Sequence, residues 1–411
     1  MSFIKPSFNT LHFLTSRYPF GEGETFVENE LESLCREFKE VIIYPIKYDH
    51  CKENLTSREI PSNAKVITIN QSYNFKKLVI ANLYTFINLI LSDFKLDKLS
   101  RVNKLKHIKY QLGYFICAVN IKNQLEKHLQ SNKKNIYYSF WMHEGALALS
   151  ILKKESKIHD FTFKCHGFDA FNEVHKQGFI PFRLITYKYA KHIITVSNAI
   201  KNYIEDKYSL YKFKLHRIYL GSDDYGFSKN YIQENNYIVF SCSNIIPLKR
   251  VEYIPKVLKH IKDINIHWYH AGNGIFKSNV ITECNELPPN IRYTLMGRIS
   301  HENVLEFYKN NDVNLFIHLS SSEGIGVVNM EAISFGVPVM ACDVGGVNEI
   351  VNKKTGILLP KDFSPLEVAD KIKSLLKNTE PKFNSLEIRK FWEENFDHKK
   401  NVQELIELLK T

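Results

Sequence analysis

Residues 313–343, "VNLFIHLSSSEGIGVVNMEAISFGVPVMACD", read as one structural unit. An apolar run, 313–320, ends in a polar turn. A glycine-bearing start then opens an apolar helix over about 326–336, and a second apolar run follows at 338–343. Strand, helix, strand with near-continuous apolar strands is the signature of a parallel sheet covered on both faces.

The same alternation runs outward in both directions. Before residue 225, strands are expected at 11–16, 40–46, 136–140, 161–167, 192–197 and 216–221. Helices are expected at 25–38 and at 197–208, the second capped by Ser197. Beyond it, strands fall at 237–243, 264–272, 291–297, 313–320 and 338–343. Helices fall at about 250–262, 301–310, 326–336 and 364–377, and residues 385–411 read as two more. A chain of 411 residues is long enough for two cores. The polar stretch "YGFSKNYIQENN", 225–236, reads as the linker between them. The fold class is therefore α/β: an N-terminal Rossmann-like domain, 1–225, and a C-terminal one, 237–394, with a last helix at about 395–411 returning to the first. In this arrangement the cleft between the domains is where a ligand is expected.

Composition narrows the setting. Hydrophobic residues make up 44% and charged residues 24%, as in a globular protein. Seven scattered cysteines without a CxxC pair point to a reducing compartment and away from a disulfide framework or structural zinc. No signal-peptide pattern opens the chain, and the apolar run 78–91 is too short to span a bilayer, so it reads as a buried or interfacial helix. Charge is uneven. Residues 1–220 carry 33 Lys and Arg against 20 Asp and Glu, while the remainder carry 22 against 24. The first half is therefore expected to meet something anionic. Within it, "KLDKLSRVNKLKHIKY", 95–110, spaces Leu96, Leu99, Val102, Leu105 and Ile108 at helical intervals among six basic residues. Such a helix suits an anionic membrane surface or, equally, a core edge. It lacks any nucleic-acid reader pattern, so no nucleic-acid partner is expected.

Several chemistries are excluded. No GxxxxGK[ST] occurs, and the first strand is followed by "SRYPFGEGETF" in place of GxGxxG. The turn at 320–328 offers a different phosphate cradle. Gly324 and Gly326 let backbone approach closely, and the N–H groups of Gly324, Ile325, Gly326, Val327 and Val328 open a helix whose dipole favours an anion. Glu323 precedes the turn and Glu331 follows it. Carboxylates accept hydrogen bonds from vicinal hydroxyls. Phosphate held between two polyols is the shape of a nucleotide-sugar.

Here the residues resemble a known family. "EGIGVVNME" with "AISFGVPVMACDVGGVNEIV", preceded by "FSCSNIIPLKRVEYI" and "YHAGNG", is similar to the retaining glycosyltransferases of the GT-B fold, family 4 type, also called glycosyl transferases group 1. In the first half, "RYPFGEGETFVENEL" and "KCHGFD" resemble that family's glycine loop and His-Gly turn. The match is dense over 237–360 and sparse over 50–130.

The resemblance implies two Rossmann-like domains facing a central cleft. It implies a nucleotide-sugar donor, expected to be UDP-linked, and no metal or other cofactor. Glu331 would bind the donor ribose and Glu323 the donor sugar. Lys249 would neutralise the diphosphate, His166 would contact the sugar or reaction centre, and Gly21 and Gly23 would let the first loop approach the diphosphate. Asn244 stands where the family often has Arg, and Arg250 or Arg298 is expected to compensate. The acceptor would be a glycan, expected to be a lipid-linked oligosaccharide of a bacterial surface polysaccharide. The enzyme would sit in the cytoplasm on the inner face of the membrane. Two rival readings remain, a catalytically inactive nucleotide-sugar-binding subunit and a GT-B nucleotide-sugar epimerase.

Overall fold

The computed structural model describes residues 10–21, 23–48, 56–96, 105–129, 135–228, 236–377 and 382–411. It contains two all-parallel sheets. The first has seven strands: β1 (Thr10–Thr15), β2 (Glu40–Pro45), β3 (Ala64–Val66), β4 (Asn135–Ser139), β5 (Thr162–Cys165), β6 (His192–Thr195) and β7 (Leu215–Arg217). Their order is β3-β2-β1-β4-β5-β6-β7. The second has six: β8 (Asn236–Cys242), β9 (Asn265–Ala271), β10 (Ile291–Gly297), β11 (Val313–His318), β12 (Val339–Cys342) and β13 (Gly356–Leu359), in the order β10-β9-β8-β11-β12-β13.

Both orders reverse direction beside their first strand. Chain connections there run to opposite sides, so a crevice opens beyond the carboxyl ends of β1 and β4, and of β8 and β11. The opening stretch forms the second crevice: β11 pairs with β8, with Phe316 opposite Phe240, and with β12, with Ile317 opposite Met340.

Burial explains the apolar runs. Every residue of β1, β11 from Leu315 on, and β12 is buried, because helices cover both faces of each sheet. The second core gathers Val239, Trp268, Leu315, Ile317 and Met340 from the sheet with Val257, Leu258, Ile261 and Ile372 from one helical layer. In the first sheet Lys164 and Glu30 form a buried ion pair, and the Tyr138 hydroxyl donates to Glu30 at 2.8 Å.

The chain forms two compact units, Met1–Ile218 with Val402–Thr411, and Tyr219–Asn401. The change of unit thus comes ahead of Tyr225, earlier than composition indicated. Residues 219–228 are tied into the second unit. The Trp392 indole N–H donates to Ser222 Oγ at 2.8 Å, the Ser228 hydroxyl donates to the Asn311 carbonyl at 2.8 Å, and Arg389 pairs with Asp224. Gly221, at φ 76°, passes so close to the chain at 396–398 that a Cβ would sit 2.7 Å from the Phe396 carbonyl oxygen. The rest of the expected linker, 229–235, lies outside the described residues.

Candidate active site

Three loops meet beyond the carboxyl ends of β8 and β11. The first, 243–250, leaves β8 and carries Asn244 and Lys249. The second, 319–326, leaves β11 and carries Glu323. The third, 343–346, leaves β12.

Hydrogen bonds lace them together. Ser321 N–H and the Ser320 hydroxyl both donate to the Leu248 carbonyl, at 2.9 and 3.2 Å. Gly346 N–H donates to the Gly324 carbonyl at 3.1 Å. Gly345, at φ 57°, lies under Glu323, where a Cβ would come within 1.8 Å of the Glu323 carbonyl oxygen. Only glycine satisfies both the backbone angle and the contact. From the other side, Ile245 N–H donates to the Asn273 carbonyl at 2.9 Å, and a Cβ on Gly274 would strike the Ile245 carbonyl at 2.2 Å.

A buried relay under the first loop fixes its start. Trp268 Nε1–H donates to Ser241 Oγ at 2.9 Å, Ser241 Oγ lies 2.8 Å from His270 Nδ1, and His270 Nε2 lies 3.1 Å from the Ser243 carbonyl. Burial lowers the His270 pKa to about 4. The ring is therefore neutral, with its proton on Nε2 toward the carbonyl.

On this frame sits a charged cluster. Lys249 Nζ is paired with Glu323, and His318 Nε2, at the end of β11, lies 3.1 Å from the same carboxylate oxygen. His318 Nδ1 is 3.2 Å from Asn329 Oδ1. Burial would raise the Glu323 pKa, but His318 and Lys249 outweigh it and bring it from 4.5 to about 2. The carboxylate is therefore charged at every physiological pH, and its partners arrive from the loop after β8 and the end of β11.

Glu331 is not a solvated helix-face residue. It lies one turn into the helix Val327–Ser334, is 8% exposed, and holds Oε1 2.8 Å from His301 Nε2. Cys242 is the last residue of β8. Burial first, then Glu331, pushes its thiol up to about 12. Gly326 caps the helix at φ 83°, with Gly324 and Ile325 just ahead of it and Val327 and Val328 in the first turn. The sequence pattern thus gathers Lys249, Glu323, Glu331 and the glycine turn. Asn244 is exposed on the first loop, and Arg298 is exposed just past β10.

Arg250 corrects an expectation. Its guanidinium donates to the carbonyls of Leu319 at 2.7 Å and Lys361 at 2.9 Å, and lies 5.5 Å from the Phe363 ring centre. It staples the loops after β8, β11 and β13 together and is spent on that task, so it does not replace the missing arginine at 244.

The first unit has a different site. His166, buried at the end of β5, stacks among Trp141, Phe140 and Phe26 with ring centres at 4.1, 4.8 and 6.2 Å. Asp169 turns the chain there, accepting from Met142 N–H at 2.7 Å and from His166 N–H. Gly21 donates its N–H to the Thr56 carbonyl at 3.2 Å, and Arg58 Nε donates to the Gly21 carbonyl at 3.0 Å. Arg58 also holds the Gly23 carbonyl. The backbone N–H groups just past β1 are taken by Glu24, which accepts from Ser16 at 3.0 Å, Arg17 at 2.6 Å, Tyr18 at 2.8 Å and the Trp141 indole at 2.6 Å.

Sequence reading missed His318, His301, Gly345, His270 and Glu24. His318 carried one usable signal, a polar residue at the end of a buried strand just before the glutamate. The partners of His301, Gly345 and His270 come from segments remote in sequence, and Glu24 turns back on the N–H groups of Ser16, Arg17 and Tyr18.

Comparison with known proteins follows the second unit most closely. Residues 225–395 match the family model for glycosyl transferases group 1. Over 373 residues the chain is 24% identical to an uncharacterized glycosyltransferase of Methanocaldococcus jannaschii, covering 88% of this chain and 87% of that one. It is 28% identical over 318 residues to the N-acetyl-alpha-D-glucosaminyl L-malate synthase of Bacillus anthracis, covering 76% and 74%. The fold matches that of an Anabaena protein, HepE, solved with UDP and glucose, at a TM-score of 0.65 and 14% identity over 98% of this chain and 99% of that one. Neither the inactive-subunit reading nor the epimerase reading is favoured by these matches. The paired Rossmann-like sheets are those of the GT-B fold, and the glycosyl transferases group 1 match across the second unit, with the glycosyltransferase relatives, supports a transferase enzyme.

Proposed function

We propose that the protein is a retaining transferase of family 4 type. It moves a sugar from a nucleotide-sugar, UDP-linked, to a hydroxyl of a growing lipid-linked glycan of a bacterial surface polysaccharide. The observation that carries this is the cluster Lys249, Glu323, His318 and Glu331 at the switch point of the second sheet. It sets one fixed cation and two buried carboxylates around a helix start, which is what a diphosphate between two polyols requires.

In this reading Glu331 accepts from the ribose hydroxyls, with His301 holding its other side. The helix start at 324–328 and Lys249 take the diphosphate. As the bond from the anomeric carbon to phosphate breaks, charge builds on the leaving oxygen. A cation fixed there lowers the barrier more than it stabilises the ground state. The acceptor hydroxyl attacks from the same face, forming the new bond from carbon to oxygen, and its proton passes to the leaving phosphate oxygen. Glu323 orients the sugar, and no metal takes part. His166 in its aromatic surround, with Gly21 and Gly23 ahead of it, belongs to the first unit, to which the acceptor falls. The solved likeness with UDP and glucose supports the donor class. The basic first half, including 95–110, supports a peripheral place on the inner, cytoplasmic face of the membrane.

The test is a panel of UDP-, GDP- and ADP-sugars offered to the purified protein without acceptor, reading release of free sugar. We expect slow release from a UDP-sugar, abolished by Glu323→Ala. Binding of a nucleotide-sugar with no release above the Glu323→Ala background would contradict transfer and leave a binding subunit. Release from a GDP- or ADP-sugar alone would keep the enzyme and replace the donor.

A further inference from the structure

The helix Phe75–Leu96 is longer than the apolar run that announced it, and apolar on two opposite faces. One face is buried in the first unit. Phe86, Leu89 and Ile90 lie inside, and Phe86 meets Phe115 at 5.4 Å and Phe182 at 6.3 Å between ring centres. The other face carries Ile80, Leu83, Tyr84, Ile87 and Leu91, spaced i, i+3, i+4, i+7 and i+11, which is a single stripe about 16 Å long. Ile80 and Tyr84 are each 80% exposed, and the other three about half.

Among the described residues of this helix, the exposed charges have one sign. Lys76 and Lys77 stand exposed at one end and Lys95 at the other. The one carboxylate in the helix, Asp93, is fully buried on the inner face. Where the next described helical segments begin, Leu105 and Ile108 are also exposed, beside exposed Lys106 and Lys109. Residues 97–104, the middle of the expected basic helix, lie outside the described residues.

We propose that this stripe is the membrane-docking surface of the protein: it lies in the plane of an anionic bilayer, its apolar side chains entering the boundary of headgroups and acyl chains and its lysines meeting lipid phosphates. The proposal rests on the peripheral-membrane reading above and moves its anchor from the basic segment to the apolar stripe. Stripe and lysines together match an interfacial helix. Length and composition alone would also let residues 75–95 span a bilayer. The packing of Phe86, Leu89 and Ile90 against the first unit opposes that, because spanning would strip the inner face from its core.

The experiment is flotation of the full chain with phosphatidylcholine vesicles, with and without phosphatidylglycerol. The wild type should float with the phosphatidylglycerol vesicles. Ile80→Ser/Tyr84→Ser/Ile87→Ser, all at exposed positions, should weaken this about tenfold or more. Lys76→Glu/Lys77→Glu should remove the preference for the anionic lipid. Unchanged flotation of the triple variant overturns the proposal. So does a wild-type dimer in solution that the triple variant converts to monomer, since a second copy would then cover the stripe. Resistance to alkaline extraction would instead make it a span. Nucleotide-sugar binding, measured without vesicles, should be the same in wild type and triple variant. If it is absent from both while flotation persists, the transferase reading has failed and the docking surface stands.

Discussion

The two units solve the same topological problem with different chemistry. At the switch point of the second sheet, charge is concentrated and shared. Glu323 answers to Lys249 from the loop after β8 and to His318 at the end of β11, and Glu331 answers to His301. In the first unit the corresponding region is aromatic. His166 sits among three aromatic rings, and the free N–H groups past β1 are already satisfied by Glu24 of the same unit. The first unit keeps its buried charge deeper, in the Lys164–Glu30 pair. A ligand carrying fixed negative charge suits the second arrangement.

The largest effect is expected where the first unit's charge is structural. Glu30→Ala leaves Lys164 buried without its partner and should cost about 3–5 kcal/mol in chemical denaturation. Replacing both by apolar residues of similar volume should recover most of that. If Glu30→Ala costs little, the contrast between structural charge in one unit and functional charge in the other is broken. Next, Lys249→Ala should lower the rate of sugar transfer by about 100- to 1,000-fold while the fold persists, as removal of one fixed donor of charge at a developing oxyanion does. A loss confined to donor affinity would make Lys249 a binding residue only.

Glu24→Gln puts an amide N–H toward backbone donors. It should cost about 1–3 kcal/mol and shift Trp141 fluorescence through the lost indole contact. An unchanged spectrum would separate Glu24 from the aromatic surround of His166. The pH dependence sharpens the comparison further. The folded Glu323 pKa is depressed, so its contribution is present above 4.5 and is lost as pH falls toward about 2. Across that window the wild type should lose stability faster than Glu323→Gln. Parallel curves would mean that His318 and Lys249 do not act on this carboxylate.

Much of the fold was legible because parallel strands buried on both faces, such as β1, β11 and β12, read as apolar runs. Two strands escaped, Ala64–Val66 and Gly356–Leu359, both at sheet edges, where flanking polar and glycine residues leave no apolar run to read. The helix Glu144–Lys154 escaped for the opposite reason. It is buried from Gly145 to Leu152, so no polar face marks its period. At the site, the turn and its two glutamates lie close in sequence and could be read together. Gly345 and His270 could not, because each acts on a loop reached only through the strand order. Arg250 shows the limit in reverse: beside Lys249 it reads as a second phosphate cation, yet carbonyls of two other loops, after β11 and after β13, claim it.

The central claim is that the carboxylate pair of the second unit holds a nucleotide-sugar, with Glu331 on the ribose. Calorimetric titration of UDP into the wild type and into Glu331→Gln tests it most directly. The substitution keeps volume and removes the charged acceptor, so affinity should fall about tenfold, or ~1.4 kcal/mol. Equal affinity in the two proteins would contradict the ribose assignment and, with it, the role given to the cluster.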